Sequence, residues 1–470
     1  MHRFLKRFLK ELQFFSVALG LALPCAAQGQ GASASAIEPG KPDARIVAAL
    51  RQVSAARIQA NIEKLVSFGT RATISAQDPA SIAAGRGIGA AREWIQAEFE
   101  RYAKDCGGCL EVKTDTFTEA PAERIPQPTV ITNVYAVLKG ASDAQRLVLV
   151  TGHYDSRNSG TLDGKGDAPG ANDDGSGTAV SLECARVLSK ISSKMKFPAT
   201  IIFLTVAGEE QGLNGSSHFA KFAKEQGWNL EAVLNNDIVG GDKSAEQDHS
   251  VVRVFSEGLP AAATEQEIRR IRGLGGESDS GSRQLARYVA DVGRTYAGDV
   301  GVKPMLVFRL DRYLRGGDHY SFNQEGFSGV RFTEFREDFH HQHQDVRTEN
   351  GIEYGDVPKF VDFDYVAKVA RLNAATLASL AAGSAPPANV HLLAKDLEND
   401  STLTWDPEPG AAEYEVLWRA TTSPEWEHAL KCGKVTRATL KLSKDNVIFA
   451  VRAVDAEGHA SLPVVPVAER

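Results

Sequence analysis

Two carboxylates stand side by side in Thr205-Val-Ala-Gly-Glu209-Glu210-Gln-Gly-Leu-Asn-Gly-Ser216, directly after a run of apolar β-formers. Adjacent acids repel, and a strand end gives neither of them an obvious partner. The same arrangement recurs along the chain. Arg146-Leu-Val-Leu-Val-Thr-Gly is followed by His153-Tyr-Asp155, and a Gly- and Asp-rich loop then reaches Asn172-Asp173-Asp174-Gly-Ser-Gly177 ahead of a helical pattern. Ala232-Val-Leu-Asn-Asn precedes Asp237, and Gly329-Val-Arg-Phe-Thr-Glu-Phe precedes a segment carrying His340, His341 and His343. Four strand ends and one helix start therefore each deliver an imidazole or a carboxylate. Two imidazoles and three carboxylates suit a pair of zinc ions, which take nitrogen and oxygen ligands and leave room for a reacting water. Calcium prefers all-oxygen shells and would not recruit histidines.

These residues need a frame that gathers strand ends. From 46 to 383, near-continuous apolar runs alternate with helical patterns such as Ala91, Ile95, Phe99 and Tyr102. That alternation predicts an α/β fold, a three-layer sandwich around a mixed, largely parallel sheet. In such sheets the chemistry lies beyond the carboxyl ends of the strands. A composition break at Ala381-Ala-Gly-Ser-Ala-Pro-Pro introduces a second unit, 386–470, whose short alternating strands predict a small all-β sandwich.

The chain opens with a basic stretch, a short apolar run and small residues, the order of a secretory signal peptide over 1–27, cleaved after Ala27. A Gly/Ala/Ser-rich flexible leader is expected over 28–45. An exported protein, periplasmic or secreted, follows, with no stable membrane span after cleavage. The net charge of −7 for the full chain excludes the basic face of a nucleic-acid binder. In an oxidising compartment Cys106-Gly-Gly-Cys109 reads as a local disulfide, since no second cysteine pair completes a zinc cage. Cys184 and the tryptophans of the C-terminal unit read as core residues. His218, His249, His391, His428 and His459 match no motif and are expected at the surface.

Five motifs in order, Gly152-His153-Tyr-Asp155-Ser, Pro169-Gly-Ala-Asn-Asp173-Asp174-Gly-Ser-Gly, Ala207-Gly-Glu209-Glu210-Gln-Gly-Leu-Asn-Gly-Ser, Asn235-Asn-Asp237 and His341-x-x-x-Asp345, resemble the co-catalytic zinc aminopeptidases of the bacterial leucyl aminopeptidase type, a branch of the zinc exopeptidases. The resemblance spans about 46–383 and implies two Zn2+ ions. His153 and Asp237 would hold one, Glu210 and His341 the other, and Asp173 would bridge them. Glu209 would be the general base, and Asp155 would orient His153. Asp174 would shape the bridging motif through a strained peptide that could be cis. Asp318 and His319 resemble a substrate-side loop, and Tyr313 is a candidate donor to the developing oxyanion. Spacing to Asp345 selects His341 over His343. The C-terminal unit resembles a fibronectin type III domain, with Trp405, Tyr414 and Trp418 among its features, and could contact surfaces or polymers. The expected activity is hydrolysis of peptide or protein substrates by metal-activated water, as an aminopeptidase. A carboxypeptidase or glutaminyl cyclase on the same fold, or an inactive adhesion protein, are the alternatives. The acid pair then has a physical reason: successive residues of an extended segment point in opposite directions. Glu210 can reach a metal while Glu209 faces the attacking water.

Overall fold

The structure, a computed structural model, describes residues 25–26 and 35–469 apart from 245 and 396. The expected signal peptide therefore lies, but for two residues, outside the described part. An eight-stranded sheet organises the larger unit. Its order is Leu110–Glu119, Thr129–Leu138, Ala199–Val206, Asp143–His153, Asn229–Asn236, Gly329–Glu334, Val251–Ser256 and Lys303–Val307. The four central strands are parallel to one another, and antiparallel partners flank them.

Alternation along the strands divides the interior into two layers. In Ala199–Val206, Ile201 and Phe203 join a core with Ile95, Phe99, Val180, Leu188 and Leu377, from the helices Gly87–Asp105, Gly175–Ile191 and Phe363–Ala382. Ile202, Leu204 and Val206 face the other way, onto Phe219 of helix Asn214–Glu225 and Phe322 of helix Asp318–Gln324. With both faces covered, central strands carry apolar side chains on both sides, which is why they read as continuous runs.

Residues beyond 390 form two small sheets whose shared core contains Leu403, Trp405, Tyr414, Val416, Trp418 and Phe449. The outer face of one sheet, Leu417, Ala450 and Trp426, is also covered. Trp426 donates to Gln284 of helix Gly281–Thr295 at 3.2 Å, and Arg419 pairs with Asp279 at 2.7 Å. The unit is thus clamped to the α/β unit.

Within the expected leader, 28–45, the residues from Ser35 on pack against the rest of the chain. Ser35–Ala36 pairs with His428–Gly433, and Ile37 packs beside Trp426. Asp43 caps helix Ala44–Leu50 and meets His459 at 3.1 Å. The physical reason is local: the small-residue run ends at Ala36, and an apolar residue and a capping acid follow it. His459, expected at the surface, is buried between Asp43 and Asp455. Cys106 and Cys109 are joined in a disulfide, and Cys184 is buried in its helix.

Candidate metal centre and active site

His153 is the last residue of its strand, and Asp237 directly follows the neighbouring strand. Helix Gly175–Ile191 begins against both. A Cβ on Gly152 would lie 2.4 Å from the Gly177 carbonyl carbon, and one on Gly177 would lie 2.0 Å from the Asn236 oxygen. Only glycine at these two positions lets the helix end reach the sheet. Asp174 caps that helix through Gly177 N–H and accepts the His153 N–H at 2.9 Å. The Asp173–Asp174 peptide bond is cis. Asp173 lies 3.2 Å from His153 Nε2, its own N–H donated to Asp356 at 2.7 Å.

The Glu209–Glu210 turn is fastened by one carboxylate. Asp155, wholly buried, accepts the Glu210 N–H at 3.2 Å and the Thr73 hydroxyl at 2.8 Å on one oxygen. Its other oxygen accepts the Glu209 N–H at 3.4 Å and lies 3.4 Å from His153 Nδ1. Asp155 thus orients the imidazole and the acid pair together.

Two groups of possible ligands result. His153, Asp173 and Asp237 bring one ligand atom each within 4.8 Å of one another, and so do Asp173, Glu210 and His343. Asp173 belongs to both. His153 Nε2 lies 3.2 Å from Asp173, 3.9 Å from Asp237 and 4.0 Å from Glu209. It is buried and makes no hydrogen bond among the described residues. His343 Nε2 lies 2.8 Å from Asp173 and 3.0 Å from Glu210. Ligand atoms about 2.0–2.1 Å from a tetrahedral zinc stand roughly 3.3 Å apart, so the donors and their spacing fit zinc.

Electrostatics points the same way. Burial pushes Glu209 well above the ordinary carboxylate range, and Asp237 and Glu210 add to it against His153. Burial also opposes a charged His153, yet the carboxylates of Asp155 and Asp173 outweigh it and raise its pKa. Asp318, at the start of its short helix, is pushed up to about 7 by burial, opposed by His153 and reinforced by Asp237 and Asp155. The cluster is short of positive charge, which divalent cations supply.

The expectation that His341 stands beside Asp173 and Glu210 is corrected: the structure places His343 there. Asp338 accepts the backbone N–H groups of His341 and Gln342, which sets a helical turn. Residues two apart on such a turn point about 200° away from each other, so one imidazole alone can face the metals. His343, in the left-handed region at φ 54°, turns toward Asp173 and Glu210. His341 instead donates to Asp242 and stacks on Phe360 at 3.6 Å. Asp345 binds Ser159 and lends no support to His341. Tyr313 is also corrected. It is 79% exposed, and its hydroxyl accepts from Arg309 rather than facing the carboxylates. His319 is buried and bonds the Leu310 carbonyl oxygen, which fixes a loop.

Several residues here had not been singled out from sequence. Arg331, wholly buried, pairs with Asp237 at 3.0 Å and Asp311 at 3.0 Å. Its signal was a lone cation inside an apolar strand, which must find a partner. Arg157 donates to Glu210 at 2.9 Å and to His343 Nδ1 at 2.6 Å. A cation on His343 Nε2 needs the ring proton on Nδ1, so Arg157 must turn aside to admit it. Asp356 and Gln342 hold Asp173.

Peptidase family M28 matches residues 133–357, which contain every residue of both groups. A probable zinc metalloprotease of Pyrenophora teres f. teres (strain 0-1) is 46% identical over 435 residues, 91% of this chain and 88% of its own length. Another, of Leptosphaeria maculans, is 45% identical over 430 residues, covering 90% and 97%. Among solved structures, LapB of Legionella pneumophila shares the fold, with a TM-score of 0.51 and 19% identity over 74% of this chain and 78% of that one. The buried histidine–carboxylate groups and these relatives agree: the chain belongs to peptidase family M28 and is a zinc metallopeptidase.

Proposed function

We propose that the protein is an aminopeptidase with two zinc ions, releasing N-terminal residues from peptides. His153 and Asp237 would hold one ion and Glu210 and His343 the other, with Asp173 between them. The observation that carries this reading is the membership of Asp173 in both ligand groups. Zinc, when bound, polarises the scissile carbonyl and brings water within reach of deprotonation near neutral pH.

Glu209 does the proton work. Its carboxylate takes a proton from the attacking water and returns it to the leaving amine, a role that needs an acid poised near neutrality. Burial beside Glu210 and Asp237 raises Glu209 in that direction. Asp155 fixes the backbone of the acid pair, so Glu209 keeps its aim while Glu210 is committed to metal.

Export to the periplasm or outside the cell is part of the proposal. The signal-like residues 1–27 and the Cys106–Cys109 disulfide support it. The C-terminal sandwich is proposed to be fibronectin type III-like, with contact to surfaces or polymers as its role.

Hydrolysis of aminoacyl-p-nitroanilides, abolished by chelator and restored by zinc, tests the activity. Equal cleavage of a peptide and its N-acetylated form would refute an aminopeptidase, and release of the C-terminal residue would make it a carboxypeptidase.

A further inference from the structure

We infer that the chain holds a third divalent ion, of the small transition-metal class, between Asp242, Asp338 and His341. These three bring one ligand atom each within 4.8 Å of one another. Asp242 and His341 are largely buried, and Asp338 is less so. They line a cavity of about 10 Å³, close to the smallest space that holds a single water and too small for an organic ligand.

A second observation comes from another element. Glu334, the last residue of strand Gly329–Glu334, lines the same cavity and is wholly buried. Its Oε2 accepts the Asp242 N–H at 3.1 Å and the Asn172 side-chain amide at 3.1 Å, while its Oε1 has no hydrogen-bond partner among the described residues. A buried carboxylate oxygen without a donor carries a cost of about 1–3 kcal/mol or more. The other acids of the cavity are already engaged, Asp173 by Gln342, His343 and His153. Glu337 meets Arg253, Arg312 and Arg315, and Asp356 accepts two backbone N–H groups. Asp242, Asp338 and Glu334 stand beside two imidazoles: His341, and the exposed His340, whose N–H Asp338 Oδ1 accepts at 2.9 Å and whose Nδ1 it meets at 2.8 Å.

The donor set chooses the ion. Two carboxylates and an imidazole, with a third carboxylate lining the cavity, suit zinc or manganese, whereas calcium wants six to eight oxygens at about 2.3–2.6 Å. His341 Nδ1 and Asp242 now share a proton at 2.5 Å. An ion replacing that proton, with bonds of about 2.0–2.2 Å, opens the contact to about 3.3 Å. Glu334, lining the same cavity with its Oε1 unengaged, is the residue nearest at hand to complete the shell after a side-chain turn. The site would also fix the turn begun at Asp338, on which His343 sits two residues beyond His341, so its ion positions a catalytic ligand without touching substrate.

The test counts metal in the full-length protein. Wild type and Asp338→Asn are equilibrated with zinc or with manganese, freed of excess ion and measured by inductively coupled plasma mass spectrometry. The expected result is one ion fewer per chain in Asp338→Asn with at least one of the two metals. Because His343 sits on the same turn, anomalous maps of the variant locate the missing ion: loss between His341 and Asp242 supports the site, and loss only beside Asp173 overturns it. Equal counts in both proteins with both metals overturn the proposal. Should Asp338→Asn fail to fold, crystals of the wild-type protein grown with each metal decide. An anomalous peak between His341 and Asp242 supports the site, and no peak there with either metal overturns it.

Discussion

Asp155→Asn is the sharpest test of how the site is held. The wild-type carboxylate spreads four contacts over two oxygens: Thr73 and Glu210 N–H on one, Glu209 N–H and His153 Nδ1 on the other. Asparagine keeps the shape but has one oxygen and one NH2 group. With its oxygen toward Thr73 and Glu210, the NH2 faces the Glu209 N–H and His153 Nδ1. The latter carries the ring proton when Nε2 binds metal and keeps the Asp155 backbone carbonyl oxygen at 3.1 Å, but it loses the carboxylate, and the Glu209 N–H meets a donor. The loss is one charge-assisted hydrogen bond, about 1.5–3 kcal/mol. At about 1.4 kcal/mol per tenfold that is roughly 10- to 150-fold, in line with the roughly 10–100-fold found when partners of metal-ligating histidines are removed. The assay is zinc titration against a competing chelator, paired with kcat/KM on an aminoacyl-p-nitroanilide at saturating zinc. Thr73→Val removes one contact of the four and is expected to cost only a few-fold. An Asp155→Asn protein within threefold of wild type in both affinity and kcat/KM would refute the claim that this carboxylate organises the site.

Glu209→Gln should retain its zinc and lose about 10²–10⁴ in kcat, the usual worth of a general base, read by metal analysis beside steady-state rates. His343→Ala should abolish tight binding of the ion at Glu210, seen as activity that needs far more added zinc. Asp279→Ala leaves Arg419 and Arg287 buried without their acid, and a loss of about 3–5 kcal/mol is expected in denaturant unfolding. His459 has a raised pKa: burial opposes its charge, and Asp455 and Asp43 outweigh it. Its stabilising pair with Asp43 is therefore fully present below about pH 6.5 and fades as pH rises through the raised value. Tm should fall over that interval in wild type, and the fall should be shallower in His459→Gln.

The sheet was legible because its central strands are buried on both faces and read as unbroken apolar runs. Leu110–Glu119 was not, because it is an edge strand whose side chains are mostly exposed or half-exposed. Its alternation is too weak to stand out from loop sequence. In the site, His153, Asp173, Glu209, Glu210 and Asp237 could be singled out since each follows a strand or opens a helix. The last histidine could not be chosen that way. Three imidazoles lie within four residues there, and the backbone decides which one turns inward, through the Asp338 turn and the left-handed φ of His343. Arg331 and Arg157 escaped for another reason: their partners Asp237 and Glu210 lie far away in sequence, and pairing across a sheet leaves no local pattern.

The position of the C-terminal sandwich limits what it can contribute to catalysis. The segment leading into it is tied to Arg146, whose Nη1 donates to the Leu380 carbonyl oxygen at 2.9 Å and whose Nη2 reaches that of Gly383. Arg146 lies near the start of the strand that ends in His153, seven residues on. At about 3.3 Å per residue the two are roughly 23 Å apart, on opposite ends of the sheet. Other contacts, from Arg419, Trp426 and Glu425, meet helix Gly281–Thr295 and the residue before its cap, not the metal ligands. A module clamped at the far end of the strands cannot line the substrate cleft, and its buried ion pairs do not let it swing there. Whatever it binds is held on the side away from the chemistry, which leaves the face bearing His153 and Glu209 open to a peptide end.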